Sequence, residues 1–325
     1  MADNGVQTKN GKAFEYACLK ALNKNLSETQ EISIEETEAF KTAKDKYDTA
    51  ENALRSKLDK AAEAAVRVIL RLEPQLLYPN NNVPLFLSIQ TDAAGIGGDV
   101  RDVLCMRRQN QWEIGLSCKH NHHAVKHSRL SDTIDFGKEW FDIPCSQQYF
   151  SEVVPLFNEL RTMRDEAKEQ GSEALWSDIA DKAERYYIPI LQSFMDELKR
   201  LADANESIPE RLINYLIGRN DFYKVIADDT HQFTRVEAVN IAGTLNKISS
   251  GHTSMVNIAR VHLPKRFYHI GFKPNSENTI EVICDEGWNV SMRIHNASSK
   301  VEPSLKFDVN LISTPNSIHT QNEPW

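Results

Sequence analysis

Cysteine is scarce in this chain and poorly placed for cross-linking. Five cysteines (Cys18, Cys105, Cys118, Cys145, Cys284) are scattered over 325 residues. An odd, scattered set without CxxC spacing argues against a disulfide framework and predicts a reducing, cytoplasmic setting, with each thiol inert and semi-buried. Long apolar runs are missing too. The most apolar helical stretch, AAVRVILRL at 64–72, carries two arginines and is too short to span a bilayer. No early apolar run with a basic flank marks a signal peptide, so no membrane partner is expected. The glycine-rich run DAAGIGGD at 92–99 lacks GxGxxG and a following Lys-Ser/Thr, so it reads as a tight turn rather than a nucleotide cradle. GxSxG is absent, as are repeats and low-complexity segments. The remaining composition, 41% apolar and 26% charged, is that of an ordinary globular chain.

The net charge of −8 argues at first against a polyanionic partner, but its distribution argues otherwise. Residues 152–210 hold 14 acidic and 7 basic groups, whereas 101–129 hold 6 basic, 2 acidic and four histidines. Residues 255–300 hold 6 basic and 4 acidic groups. The acid is concentrated in helical sequence that can face away from a nucleic acid.

Residues 10–26 read as a helix with an apolar stripe of Ala13, Phe14, Ala17, Cys18, Ala21 and Leu22; Glu15 lies off it. Residues 35–73 contain no Gly or Pro and predict a long helix or bent helical hairpin, a surface arm of about 57 Å if straight. YPNNNVP at 78–84 breaks it, and LFLSIQT follows as a strand. Two amphipathic helices are expected over 152–203, with helical signals to about 247. From 256 the pattern turns β-like: VNIARVHL, FYHIGFK, TIEVICD, WNVSMRIH and LKFDVNLI between turn segments, then a poorly ordered tail from Ser313. The expected fold class is α/β, a mixed sheet flanked by helices. Residues 1–150 form the core with the arm 35–73, 151–250 a helical region, and 251–325 a β-rich region.

The most informative stretch is GDVRDVLCMRR, a polar turn, then WEIGLSCKHNHHAVKHSRL, from Gly98 to Leu130. Asp102 opens a buried strand; Asp99, three residues earlier, points to the other face of a regular strand and is its rival. On the next strand Glu113, Gly115, Ser117 and Lys119 share one face, and Ile114, Leu116 and Cys118 the other. Ser117 and Lys119 are about 7 Å apart, while Glu113 lies ~13 Å from Ser117, too far to share a metal. Phosphodiester hydrolysis needs an activated water, a cation on the phosphate and charge stabilisation of the leaving oxygen. A hard Mg²⁺ takes one or two carboxylates, with water and phosphate completing its shell. A nearby lysine can position or deprotonate the water or offset developing charge. Asp102, Ser117 and Lys119 are therefore the candidate catalytic set, with Asp99 and Asp102 as metal ligands.

Arg101, His120, Asn121, His122, Lys126, His127 and Arg129 form a basic, histidine-rich segment suited to phosphate contact. His123 and His127 have helical metal-ligand spacing, but no second histidine pair or cysteine stands at zinc-finger distance, and phosphate contact is the better reading. The letters HNH at 120–122 do not spread over the ββα unit that the HNH nucleases use. In the β-rich region Arg260, Lys265, Arg266, Arg293, His295 and Asn296 are candidates for DNA contact, since Arg and Lys can meet the two major-groove acceptors of guanine. Trp288 reads as core, and so does Cys118, which argues against a thiol nucleophile there.

Asp102 followed by Ser117-x-Lys119 resembles the PD-(D/E)xK nuclease core, and the helix carrying Gly11, Ala13, Phe14 and Glu15 resembles its first helix, whose glutamate often supports the metal. The blocks GDVRDVL, GLSCKHNHHAVKHSRLS and GWNVSMRIHNASSKVEPSLKFDVNL resemble the HaeIII-type restriction endonucleases over most of the chain. That resemblance implies a bacterial, Mg²⁺-dependent type II enzyme cutting double-stranded DNA at GGCC between the central G and C, leaving blunt ends. It adds Glu15 to the metal ligands. It also implies a methyltransferase protecting the same site, and a palindromic site allows a homodimer. One position departs from the pattern: Ser117 stands where the triplet carries an acid. Asp99, Glu15 or a water held by Ser117 would fill that place. Two alternatives follow, a repair-type nuclease on the same core and a non-catalytic DNA-binding protein on a degenerate one.

Overall fold

The computed structural model describes residues 4–79, 83–91, 98–121 and 128–325. The centre of the 78–84 turn, most of the glycine-rich turn, and His122, His123, Lys126 and His127 lie outside the described residues. The chain forms two units, residues 1–123, 218–262 and 316–325, and residues 124–217 and 263–315. It begins in the first with α1 (Asn4–Leu26), β1 (Ile32–Glu35), α2 (Glu38–Asp48), α3 (Asn52–Leu72), α4 (Pro74–Leu77), β2 (Leu85–Ile89), β3 (Val103–Arg107) and β4 (Trp112–His120). The second unit opens with β5 (Arg129–Ser131), α5 (Phe136–Phe141), α6 (Gln147–Glu169), α7 (Ile188–Ala204) and α8 (Ile208–Ile217). The chain returns to the first for β6 (Phe222–Asp228) and β7 (Phe233–Val239) and leaves again for β8 (Phe267–Phe272), β9 (Thr279–Cys284), β10 (Asn289–His295) and β11 (Ser304–Ser313). It finishes in the first with β12 (His319–Pro324).

The first unit is a mixed seven-stranded sheet in the order β1-β2-β3-β4-β6-β7-β12. β4 and β6 run parallel, which requires a crossover, and here the crossover is the second unit's helical run. The stripe foreseen on α1 is buried, together with Leu19 and Leu26. It packs on α2, α3 and β4. Thr37 caps α2 by accepting the Phe40 N–H at 3.2 Å. The 35–73 segment breaks at residues 49–51 into α2 and α3, so the single long helix does not form. α3 turns Leu58, Ala61, Ala62, Ala65, Val66, Ile69 and Leu72 inward, an apolar stripe at helical spacing.

Three local expectations fail. The helical signals to about 247 give way at 222–239 to the hairpin β6–β7, and the runs FYKVIAD and FTRVEAV are rich in the β-branched and aromatic residues that favour strands. VNIARVHL forms no strand, although Ile258 and Val261 are buried. The tail is ordered: β12 pairs antiparallel with β7, and Glu323 binds Arg67 at 3.1 Å and Arg71 at 2.6 Å. Backbone pairing on an open sheet edge needs little from the side chains, so a polar tail gives no sequence signal.

The second unit sets a five-stranded antiparallel sheet, β5-β11-β10-β9-β8, beside its helices. Phe136, Trp140, Tyr149, Phe194 and Phe307 pack ring on ring in its core. Trp288 is fully buried, as expected. All five cysteines are free. Among the described residues no helix is long and apolar enough to cross a membrane.

Arg107, at the end of β3, is wholly buried. Its guanidinium donates to the carbonyls of Val83 (2.7 Å), Gln75 (3.1 Å) and Leu76 (3.4 Å) and to Gln30. It pins the connections around β2, and burial holds its pKa below the ordinary range. Arg107→Ala should strand those acceptors and lower unfolding free energy by about 3 kcal/mol or more in urea titration.

Candidate active site

The last bonds between β3 and β4 involve Asp102. Its N–H donates to the Leu116 carbonyl at 2.7 Å, and its Oδ2 accepts the Cys118 N–H at 2.7 Å. The side chain thus takes over from main-chain pairing where the strands part. The same Oδ2 lies 3.5 Å from Lys119 Nζ, and both side chains are about one-quarter exposed, at 22% and 24%. A strand that opens on aspartate and a neighbour that ends on lysine therefore place a carboxylate and an ammonium at one accessible point.

The alternation read along β4 holds. Ile114, Leu116 and Cys118 enter the core. Cys118 lies against Cys18, and that hydrogen bond together with burial raises its thiol far above the ordinary range, which removes it as a nucleophile. On the opposite face Glu113 accepts from Arg101 at 2.8 Å. Ser117 is buried, and Lys119 follows it at the strand end.

Glu15 comes to the site from α1. It is 6% exposed and receives Lys12 Nζ at 3.1 Å, one helical turn away. Burial, and next the charge of Asp102, push its carboxyl up to about 8 against the pull of Lys12 and Lys119. Burial alone would lower Lys119, but Asp102, with Cys118 and Glu15 behind it, outweighs this and holds the ammonium above its ordinary range. The Asp102 charge thus acts on the ionisation of both Glu15 and Lys119. Among the described residues no cluster of three or more His, Cys, Asp or Glu side chains forms a metal cage. Two mutually repelling carboxylates fit a Mg²⁺ ion that retains water and takes phosphate oxygens.

Asp99 is turned to other work. It accepts Arg101 Nε at 2.8 Å and Nη2 at 2.7 Å, which overcomes the effect of burial and keeps its carboxyl below the usual range. Arg101 is itself buried, clamped between Asp99 and Glu113. Its stem crosses Gly115, where a Cβ would fall 2.1 Å from Arg101 Cδ. Glycine at 115 is thus a condition for this clamp.

His120 is buried with Nε2 3.1 Å from Asp229, at the turn after β6. Asn121, in the left-handed region at φ 52°, accepts the Asp229 N–H and donates its own to Ala227. These bonds tie the strand end beyond Lys119 to the β6–β7 turn. Asp229 and Lys12 were not foreseen. Lys12 carried a usable signal, three residues before Glu15 on a helix; Asp229 carried none.

The remaining DNA-contact candidates divide by their surroundings. Arg260, in the first unit, donates to the Ile241 carbonyl at 2.5 Å. In the second unit Arg129 binds Glu302 at 2.9 Å and Arg293 binds Asp308 at 2.7 Å, while His295 lies 3.2 Å from Asp308. The Lys265 and Arg266 backbones donate to Asp285, and the Arg266 side chain is 72% exposed beside Tyr268. Asn296 is buried, closing its own turn on the carbonyls of Ser298 and Lys300.

Residues 11–315 match the family described as HaeIII restriction endonuclease. The chain is 41% identical, over 97% of its own length and 97% of the other's, to a type II restriction enzyme, HaeIII, of Haemophilus aegyptius. No solved structure matches it.

Two outcomes follow from the geometry. Gly115→Ala should displace Arg101 and lower stability by about 1–3 kcal/mol, read from denaturant midpoints. Glu15 binds its proton more tightly folded than unfolded, so its contribution is fully present below pH 4.5 and is lost as pH rises to about 8. Glu15→Gln should therefore raise the melting temperature of metal-free protein at pH 9, with the gain vanishing toward pH 4.5 in calorimetry.

Proposed function

The chain belongs to the HaeIII restriction endonuclease family and is a type II site-specific deoxyribonuclease, and from that premise we propose that it cuts double-stranded DNA at GGCC. Cleavage falls between the central G and C, leaves blunt ends and requires Mg²⁺, on a PD-(D/E)xK core. The observation that carries this reading is the convergence of Asp102, Lys119 and Glu15 where β3 and β4 separate. A methyltransferase acting on the same sequence protects the host, and the palindrome suits a homodimer acting with two-fold symmetry.

Asp102 and Glu15 would hold the Mg²⁺, which supplies Lewis-acid polarisation of the phosphate when bound. Asp102 is oriented before any ligand arrives, because its Oδ2 is already fixed by the Cys118 N–H. Glu15 is buried on α1, and a bound cation would favour the ionised carboxylate that burial and the Asp102 charge disfavour. Lys119 retains its proton at neutral pH, so its role is cationic: it offsets charge growing on the phosphate and leaving oxygen and orients the attacking water. Ser117 contributes no ligand charge, which moves the second carboxylate to α1. Base reading would fall to the β-rich region 251–325, where the Arg266 and Arg293 side chains are exposed and guanidinium groups suit the major-groove acceptors of guanine.

The test is cleavage of unmethylated plasmid with Mg²⁺ or EDTA, followed by sequencing of the ends. Metal-dependent blunt ends at GGCC are expected; other ends would overturn the specificity. Asp102→Ala should abolish cutting with DNA binding retained in Ca²⁺. Lys119→Met should slow cutting on the order of 10²–10³-fold.

A further inference from the structure

β6 carries a lysine at a position where a central strand ordinarily carries an apolar side chain. Lys224 is 7% exposed on the strand between β4 and β7. Its neighbours Tyr223, Val225 and Ala227 face the core, so Lys224 lies on the other face, the one that carries Ser117 and Lys119. The register is direct: Ser117 pairs with Lys224, and Lys224 pairs with Glu237 on β7. Lys119 pairs with Ile226, and Ile226 with Arg235. Two lysines therefore occupy adjacent rows of one sheet face, separated by a single strand step.

They point apart. Lys119 Nζ is 3.5 Å from Asp102, toward β3, and Lys224 Nζ is 3.9 Å from Glu237, toward β7. Between them stands Ser117, which is neutral. An acid at 117 would lie two residues from Lys119 on its own face and directly against Lys224, and would draw both ammonium groups inward. Burying an ammonium costs several kcal/mol that an apolar residue would avoid, so a retained charge here signals a role beyond packing.

We propose that Lys224 is a positioning residue for cleavage, whose like charge, anchored by Glu237, keeps Lys119 turned toward Asp102, and that neutral Ser117 is the condition for this arrangement. The proposal rests on the nuclease reading above. Among the described residues, the charged groups that act on Lys119 include Asp102 and Glu15, and those that act on Lys224 include Glu237 and Arg235. The mutual effect of the two ammonium groups is seen in Lys224, whose pKa burial lowers; Glu237 opposes this, and Lys119 and Arg235 add to it.

The test compares the full-length enzyme with Lys224→Met, Lys224→Arg, Lys224→Glu and Glu237→Gln under single-turnover conditions. Lys224→Met should leave KM for DNA within twofold, keep or raise the melting temperature, and lower kcat on the order of 10- to 100-fold, the effect of a misaligned group. Lys224→Arg should restore most of the rate. Lys224→Glu should be slower than Lys224→Met, because a carboxylate there pulls Lys119 away from Asp102. Glu237→Gln, at a more exposed position, should also lower kcat and serves if a Lys224 variant fails to fold. Adding Ser117→Asp to wild type should slow cutting, and in the Lys224→Met background it should slow it less. A rate for Lys224→Met and Glu237→Gln within twofold of wild type overturns the proposal, as does equal loss in the Met, Arg and Glu variants. Asp102→Ala run alongside separates the two failures: if it cuts like wild type, the nuclease site itself is misassigned.

Discussion

Everything at the site depends on one carboxylate bonded to two strands. Asp102 belongs to the approach to β3 by covalent chain and to β4 by the Cys118 N–H at 2.7 Å. A charge-assisted bond to a backbone donor fixes the side chain without spending the second oxygen's lone pairs. The bond also marks where the strands separate, and the gap it leaves is where Lys119 reaches Asp102. Arg101, the residue before it, is held by Asp99 and Glu113, so the backbone entering Asp102 is fixed from both sides. Gly115 permits that clamp by leaving room for the arginine stem.

The charges around Asp102 are arranged in opposition. On α1, Lys12 meets Glu15; at the strand end, Lys119 meets Asp102; one strand further, Lys224 meets Glu237. Glu15 is the unstable member, since burial and the Asp102 charge both disfavour its ionised form. Burial, and next the charge of Asp102, push its carboxyl up to about 8 even though Lys12 and Lys119 stand close enough to oppose them. The neutral Ser117 belongs to the same balance. A third carboxylate on β4 would add repulsion to a pair already strained and would compete for the lysines.

Much of this was legible in the residues. The buried stripe of α1, the alternation along β4, the Asp102–Lys119 pair and the core position of Trp288 and Cys118 all follow from local periodicity and polarity. The 222–239 hairpin was missed because its polar positions, Lys224, Arg235 and Glu237, blur the strand pattern, and those residues face neighbouring charges rather than water alone. β12 was missed because an edge strand is held by main-chain bonds that side chains do not announce. Arg101 reads, in sequence, as one of the basic residues suited to phosphate contact; its burial is visible only once Asp99, Glu113 and Gly115 are placed around it.

The sequence by itself determined the chemistry available: a carboxylate opening one strand, a lysine closing the next, a serine where an acid would stand, and a helix bearing one glutamate. These are properties of residue type and spacing, and short-range periodicity sets them. Only the tertiary structure decided which of the carboxylates meet. Glu15 and Asp102 are 87 positions apart in the chain, yet the Asp102 charge acts on the ionisation of Glu15 because α1 packs on β4. Asp99, nearer in sequence, is held by an arginine instead. Lys224 arrives beside Ser117 after the first segment of the second unit, residues 124–217, intervenes, since parallel pairing of β4 and β6 demands a long crossover. Electrostatic coupling falls with distance in space and with exposure to water, and neither quantity is written in the order of the residues.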